Sequence, residues 1–89
     1  MGKEWVLYIL SCKDDTLYTG ITDNLPRRLE QHRSGKGAKY TRGRAPLVLC
    51  YVEICVDHSS ALRREVAVKR LTKAQKLKLI QSYKETAAE

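Results

Sequence analysis

Two short apolar runs near the start of the chain, Val6-Leu7-Tyr8-Ile9-Leu10 and Leu17-Tyr18-Thr19-Gly20-Ile21, are separated by the polar, turn-forming segment Ser11-Cys12-Lys13-Asp14-Asp15-Thr16. Runs this short, rich in β-branched and aromatic residues and joined by turn formers, specify a β-hairpin. Each run carries one tyrosine, and Tyr8, Tyr18 and Arg28 fall at ten-residue intervals. A register pairing residues whose numbers sum to 26 sets Tyr8 directly opposite Tyr18, puts both phenols on one face and leaves a turn of about three residues. A slip of one residue would send them to opposite faces.

At 89 residues the chain has material for one modest core, so residues 1–84 read as a single domain and 85–89 as a fraying C-terminal tail. No apolar stretch approaches the roughly 18 residues of a membrane span, and no signal-peptide pattern follows Met1. The expectation is a cytoplasmic protein without a membrane partner. Cys12, Cys50 and Cys55 form an odd set without a C-x-x-C pair, which points away from a disulfide framework or a zinc site.

The formal charge of +7 is concentrated in two blocks. From Arg27 to Arg44 seven cationic residues face Glu30 alone, and from Ala61 to Lys84 eight face Glu65 alone. The rest of the chain is net acidic. Two cationic blocks set among neutral or acidic strands suggest a polyanion footprint, with nucleic acid the commonest partner. Lysine-rich helices that are merely solvated give the same composition.

Asp23 or Asn24 can cap a helix with Pro26 in its first turn and Leu25 and Leu29 as its apolar stripe, and Gly35 and Gly37 stop it. Arg28 and His32 then share one side of that helix. The segment from Gly35 to Arg44 is a glycine-rich basic loop without the Walker A order, so no small-molecule cofactor is indicated. Residues 47–56 read as a third strand covered on much of both faces. Ser59 or Ser60 can cap a second helix from Ala61, with Leu62 and Val66 facing inward and Glu65 bordering that stripe. Thr72-Lys73-Ala74-Gln75 matches a capping box, after which Leu77, Ile80 and Tyr83 face the core. The order of elements predicts an α+β fold, a small three-stranded antiparallel sheet flanked by about three helices.

Phosphodiester hydrolysis requires a group that orients or deprotonates water, a cation for the developing charge and a metal to neutralise phosphate. Tyr8, Tyr18, Arg28, His32 and Glu65 can supply these parts. Each also has an ordinary structural reading: strand tyrosines pack with a wet hydroxyl, glutamates make helix ion pairs, and a histidine can serve as a helix-end cation.

The stretch from Trp5 to Ile80 resembles the GIY-YIG nuclease domain. Val6-Leu7-Tyr8 stands in the place of the first motif and Tyr18-Thr19-Gly20 in the place of the second, followed by Arg28, His32, Tyr40 and Ala61-Leu62-Arg63-Arg64-Glu65. It is most similar to small single-domain bacterial members marked by Leu-Tyr-Thr-Gly-Ile-Thr, Gly-Lys-Gly-Ala-Lys-Tyr-Thr and Ala-Leu-Arg-Arg-Glu. The first motif lacks its glycine and isoleucine, the second lacks its isoleucine, and no asparagine follows Asn24.

The resemblance implies a divalent-metal-dependent endonuclease acting on DNA, structured or damaged DNA included, using Mg2+ or Mn2+. It implies Glu65 as metal ligand, Arg28 as transition-state cation and Tyr18 as the group that activates or orients water. Tyr8 and His32 would position that group and the scissile phosphate, and Gly20 would keep the site uncrowded. Arg27, Lys36, Lys39, Tyr40, Arg42 and Arg44 are the expected nucleic-acid contacts, with DNA favoured over RNA. The rival reading keeps the fold as a nucleic-acid-binding module with little or no catalysis. The sequence leaves the oligomeric state open.

Overall fold

Strand β1 (Trp5–Ser11) is the centre of the molecule, buried continuously from Val6 to Leu10 in the computed structural model, which describes residues 4–87. It pairs antiparallel with β2 (Leu17–Thr22) on one side and β3 (Val48–Cys55) on the other, giving the order β2-β1-β3. Helices α1 (Leu25–Arg33), α2 (His58–Lys69) and α3 (Lys73–Ala87) complete the α+β fold that the sequence predicts. A 3-10 turn, Lys39–Thr41, interrupts the basic loop.

Alternation along β1 serves two faces at once. Leu7 and Ile9 join Tyr51, Cys55, Ala61, Val68 and Ile80 in the core beneath α2 and α3. Tyr8, Leu10 and Cys12 turn the other way, where Leu25 and Leu29 of α1 pack on them. A strand covered on both sides needs apolar or well-bonded residues at every position, which is what β1 has.

The hairpin register differs from expectation. Leu10 pairs with Tyr18 and Tyr8 with Gly20, so paired numbers sum to 28. Cys12–Thr16 forms the connection, closed by Cys12 N–H donating to the Thr16 carbonyl at 2.9 Å and Asp15 N–H to the Cys12 carbonyl at 3.0 Å, with Asp15 at φ 64°. This turn is longer than the three residues expected. The two-residue offset preserves parity, and both tyrosines remain on the α1 face, diagonal rather than opposite.

The third apolar run is an edge strand, not the doubly covered strand that its composition suggests. Val48 and Ile54, at its two ends, are 58% and 66% exposed. A bulge at Cys50, between the pairs Ile9 with Tyr51 and Leu10 with Leu49, puts Tyr51 into the α2–α3 core.

Asn24 caps α1 by accepting from Arg27 N–H at 3.2 Å, Pro26 sits in the first turn, and Gly35 at φ 80° follows the helix end. For α2 the cap is Asp57, which accepts from Ser60 N–H at 2.7 Å, so the helix begins at His58, three residues before the expected Ala61. Its buried stripe is Ala61 and Val68, and Leu62 and Val66 are exposed. The capping box before α3 forms as read: Thr72 N–H donates to Gln75 Oε1 at 2.9 Å and Gln75 N–H to Thr72 Oγ1 at 3.2 Å. Ile80 is buried, Leu77 is exposed, and the partly exposed Tyr83 rests edge-on against Tyr51 with centroids 5.4 Å apart. Helix α3 continues through Ala87, and residues 88 and 89 of the expected tail lie outside the described residues. No helix among the described residues is long and apolar enough to cross a membrane.

Candidate active site

The site begins with a hydrogen-bonded chain under α1. Thr41 Oγ1 donates to the Ala38 carbonyl at 2.9 Å. With its one proton committed, Thr41 accepts from His32 Nδ1–H at 2.9 Å. The Nε2 of the neutral ring is then an acceptor, and the Tyr8 hydroxyl donates to it at 2.7 Å. Burial lowers the His32 pKa and the nearby Arg28 charge lowers it further, which keeps the ring neutral. Burial is also the main reason that the Tyr8 phenol is pushed up to about 12; hydrogen bonding to Arg28 opposes the rise, and the charges of Tyr18 and Glu65 add to it. Tyr8 is therefore a protonated hydrogen-bond donor toward His32.

Two glycines make room for this chain. A Cβ on Gly20, paired across from Tyr8, would lie 2.6 Å from the Tyr8 hydroxyl oxygen and 2.7 Å from Cζ. A Cβ on Gly37 would lie 2.4 Å from His32 Nδ1 and 2.8 Å from its Cα, so the basic loop crosses the imidazole at backbone distance. The crowding expected at Gly20 is present. The roles of Gly37 and Thr41 carry no periodic signal in the sequence, since they depend on how the loop folds back over α1.

Tyr18 stands at the mouth of this arrangement. Its ring meets the His32 ring edge-on at 5.2 Å, lies 6.3 Å from the Tyr8 ring and 5.8 Å from Tyr40, and is half-buried. The half-buried Arg28 guanidinium donates to Gln31 Oε1 at 3.0 Å. Burial acts to lower its pKa, but the Tyr8 and Tyr18 phenols more than offset this and raise it. The five residues expected at the centre thus separate by depth. Tyr8 and His32 are enclosed, and Tyr18, Arg28 and Glu65 reach solvent.

Glu65 projects from α2, on the opposite face of the sheet from α1, yet its carboxylate acts on the Tyr8 phenol. The side chain is 20% exposed and pairs with Lys69 at 3.4 Å. Among the described residues no three His, Cys, Asp or Glu side chains gather into a metal cage. One carboxylate whose remaining neighbours are waters and substrate phosphates suits magnesium or manganese, and a partly exposed i,i+4 ion pair yields to a divalent ion at little cost.

Of the expected nucleic-acid contacts, Arg27, Lys36, Lys39, Tyr40 and Arg42 are exposed on α1 and the loop after it. Arg27 and Arg28 line a cavity of about 200 Å³ at the start of α1 with Thr22, Asp23, Asn24 and Gln31. Arg44 is engaged within the protein. It donates to Asp14 Oδ2 at 2.6 Å and lies 4.3 Å over the Tyr40 ring. Lys73 grips the same hairpin turn from α3, donating to the Asp15 carbonyl at 2.7 Å.

Residues 4–78 match the GIY-YIG catalytic domain. A UPF0213 protein of Oceanobacillus iheyensis is 48% identical over 81 residues, covering 91% of this chain and 94% of the relative. The solution NMR structure of a UPF0213 protein from Bacillus halodurans is similar, with TM-score 0.58 and 44% identity over 88% of this chain and 83% of that one. A second NMR structure, of a protein from E. faecalis, has TM-score 0.64 and 39% identity over 99% and 91% of the two chains. With a family match that runs from strand β1 into helix α3, this chain belongs to the GIY-YIG catalytic domain family.

Proposed function

We propose that this chain hydrolyses phosphodiester bonds in DNA with the help of a divalent metal, magnesium or manganese. The observation that carries the reading is the meeting of two half-buried groups, Tyr18 and Arg28, over a buried Tyr8–His32 pair within reach of the Glu65 charge. Arg28 receives the scissile phosphate, its planar fork matching two phosphate oxygens and opposing the charge that builds in the transition state. Tyr18 orients the attacking water. Its ring is held by the edge of the His32 imidazole, whose orientation is set in turn by Tyr8 and Thr41. Glu65 would hold the metal, which when bound supplies Lewis-acid neutralisation of the phosphate. Arg27, Lys36, Lys39 and Arg42 are the cations that draw the backbone in.

The test is nicking of supercoiled plasmid and of branched DNA with and without magnesium, comparing wild type with Glu65→Gln and Glu65→Ala. Activity in the wild type that both variants lose supports the proposal. Equal inactivity of all three across broad substrates overturns it. The Glu65–Lys69 pair, which neutralises the carboxylate, favours a second reading as a nucleic-acid-binding module. In that case Glu65→Ala binds DNA as tightly as wild type or more so, and no metal concentration elicits cleavage.

A further inference from the structure

Two consecutive residues of α2 hold their ion-pair partners differently. Arg64 donates from Nε to Glu53 Oε2 of β3 at 2.7 Å, a hydrogen bond of good length that fixes the helix to the sheet. Glu65 and Lys69 stand 3.4 Å apart, a looser contact one helical turn along. The Glu65 side chain is mostly enclosed, whereas that of Lys69 is 52% exposed. The carboxylate is therefore the fixed partner, and the ammonium, a point charge on a flexible four-carbon stem, is the one that can leave. Breaking an exposed i,i+4 pair of this kind costs only about twofold in an equilibrium constant.

The surroundings of Lys69 show where it would go. At the outer edge of β2 it lines a cavity of about 380 Å³ together with Tyr18, Tyr40 and Lys76. Tyr18 belongs to the candidate site and Tyr40 to the loop of expected DNA contacts. Two ammonium groups on one cavity repel each other, and the Glu65 carboxylate neutralises one of them. Lys69 cannot keep its place once a divalent cation shares that carboxylate, because two like charges would then stand within a few ångströms. A phosphate of a strand lying over Tyr18 and Tyr40 is the anion within its reach.

We infer that Lys69 is an exchangeable counter-ion: it occupies the Glu65 carboxylate when no divalent cation does, and turns to a backbone phosphate of the DNA when one binds. Metal and DNA then strengthen each other's binding by the same factor, since each draws Lys69 away from, or leaves it free for, the other. The inference rests on the proposed reading of Glu65 as metal ligand, and it gives a role to a residue outside the motif strings.

The experiment has two arms, neither of which reads cleavage. In the first, Mn2+ is titrated into the protein alone and the free ion is followed by electron paramagnetic resonance. Glu65→Gln should lose the ion that wild type binds, and Lys69→Met should bind it about two- to fivefold more tightly. In the second, the affinity for a fluorescein-labelled duplex is measured against salt in EDTA. Glu65→Gln releases Lys69 and should steepen the slope of log binding constant against log salt by about one. Lys69→Met should leave the wild-type slope nearly unchanged, and the double variant should return to it. Equal flattening by Lys69→Met in both backgrounds, or Mn2+ affinity that Lys69→Met leaves unaltered, overturns the inference. In either case loss of the ion in Glu65→Gln keeps Glu65 as the metal ligand. Mn2+ binding that is absent, or indifferent to Glu65→Gln, overturns the metal site and the inference together.

Discussion

The Tyr8 hydroxyl donates to Nε2 of His32 at 2.7 Å, and both side chains are buried. Tyr8→Phe leaves the ring nitrogen without a partner, and the loss should be about 1–3 kcal/mol of folding stability, read by urea denaturation. If Tyr8→Phe matched wild type, the hydroxyl would have no part in holding the imidazole.

The same pair sets a pH signature. The folded-state pKa of His32 is lowered from 6.5, so the unfolded chain binds the proton more readily. Stability is fully present above 6.5, and declines as pH falls below it toward the folded value. On the alkaline side Tyr8 and Tyr51 are raised from 10.0 to about 12, mainly by burial, so stability falls as pH climbs from 10 toward 12. Denaturant midpoints of wild type and His32→Gln between pH 5 and 8 test the first statement: the variant should lose the acid slope.

Gly20→Ala and Gly37→Ala are each expected to cost about 1–3 kcal/mol through overpacking against buried rings. Because the new methyl at Gly20 meets the Tyr8 phenol and that at Gly37 meets His32, the hydrogen-bond partner of Tyr8, both should depart from additivity with Tyr8→Phe. A double-mutant cycle measures each departure.

How much of this is legible in the sequence depends on what sets each feature. The shared face of Tyr8 and Tyr18 follows from parity, which the hydrophobic pattern fixes. Their diagonal offset follows from the turn, and the positive φ of Asp15 is invisible to pattern. On α2, size misleads: Leu62 and Val66 are exposed, and Ala61 and Val68 are the residues that the helix buries. The motif singles out Glu65, but helix spacing gives no sign of its influence across the sheet onto Tyr8. Thr41 reaches His32 only because the loop folds back over Gly37.

The cations divide into those aimed outward and one turned inward. Replacing Arg27, Lys36, Lys39 or Arg42 with alanine should reduce the slope of log binding constant against log salt by about one for each phosphate that the side chain neutralises. Arg44→Ala should leave the slope nearer to wild type and instead loosen the loop, seen as faster amide exchange around Tyr40. Equal slope changes for all five would mean that Arg44 also touches the nucleic acid.

Arg28→Lys keeps the charge but loses the planar fork. If cleavage is established, the rate should fall by about 10² to 10³, the range for removing one transition-state donor, with DNA affinity changed far less. Single-turnover nicking beside an equilibrium titration separates the two.

Strand β1 lends Leu7 and Ile9 to the core beneath α2 and α3, and Tyr8 and Leu10 to the face that α1 covers and where the candidate site lies. Inserting or deleting one residue in its middle would exchange those assignments beyond the lesion, sending a phenol into the packing and an aliphatic chain into the site. The packing and the candidate site are therefore inherited together along this strand, and descendants of the fold can diversify through its loops and helix surfaces far more freely than through the length of its first strand.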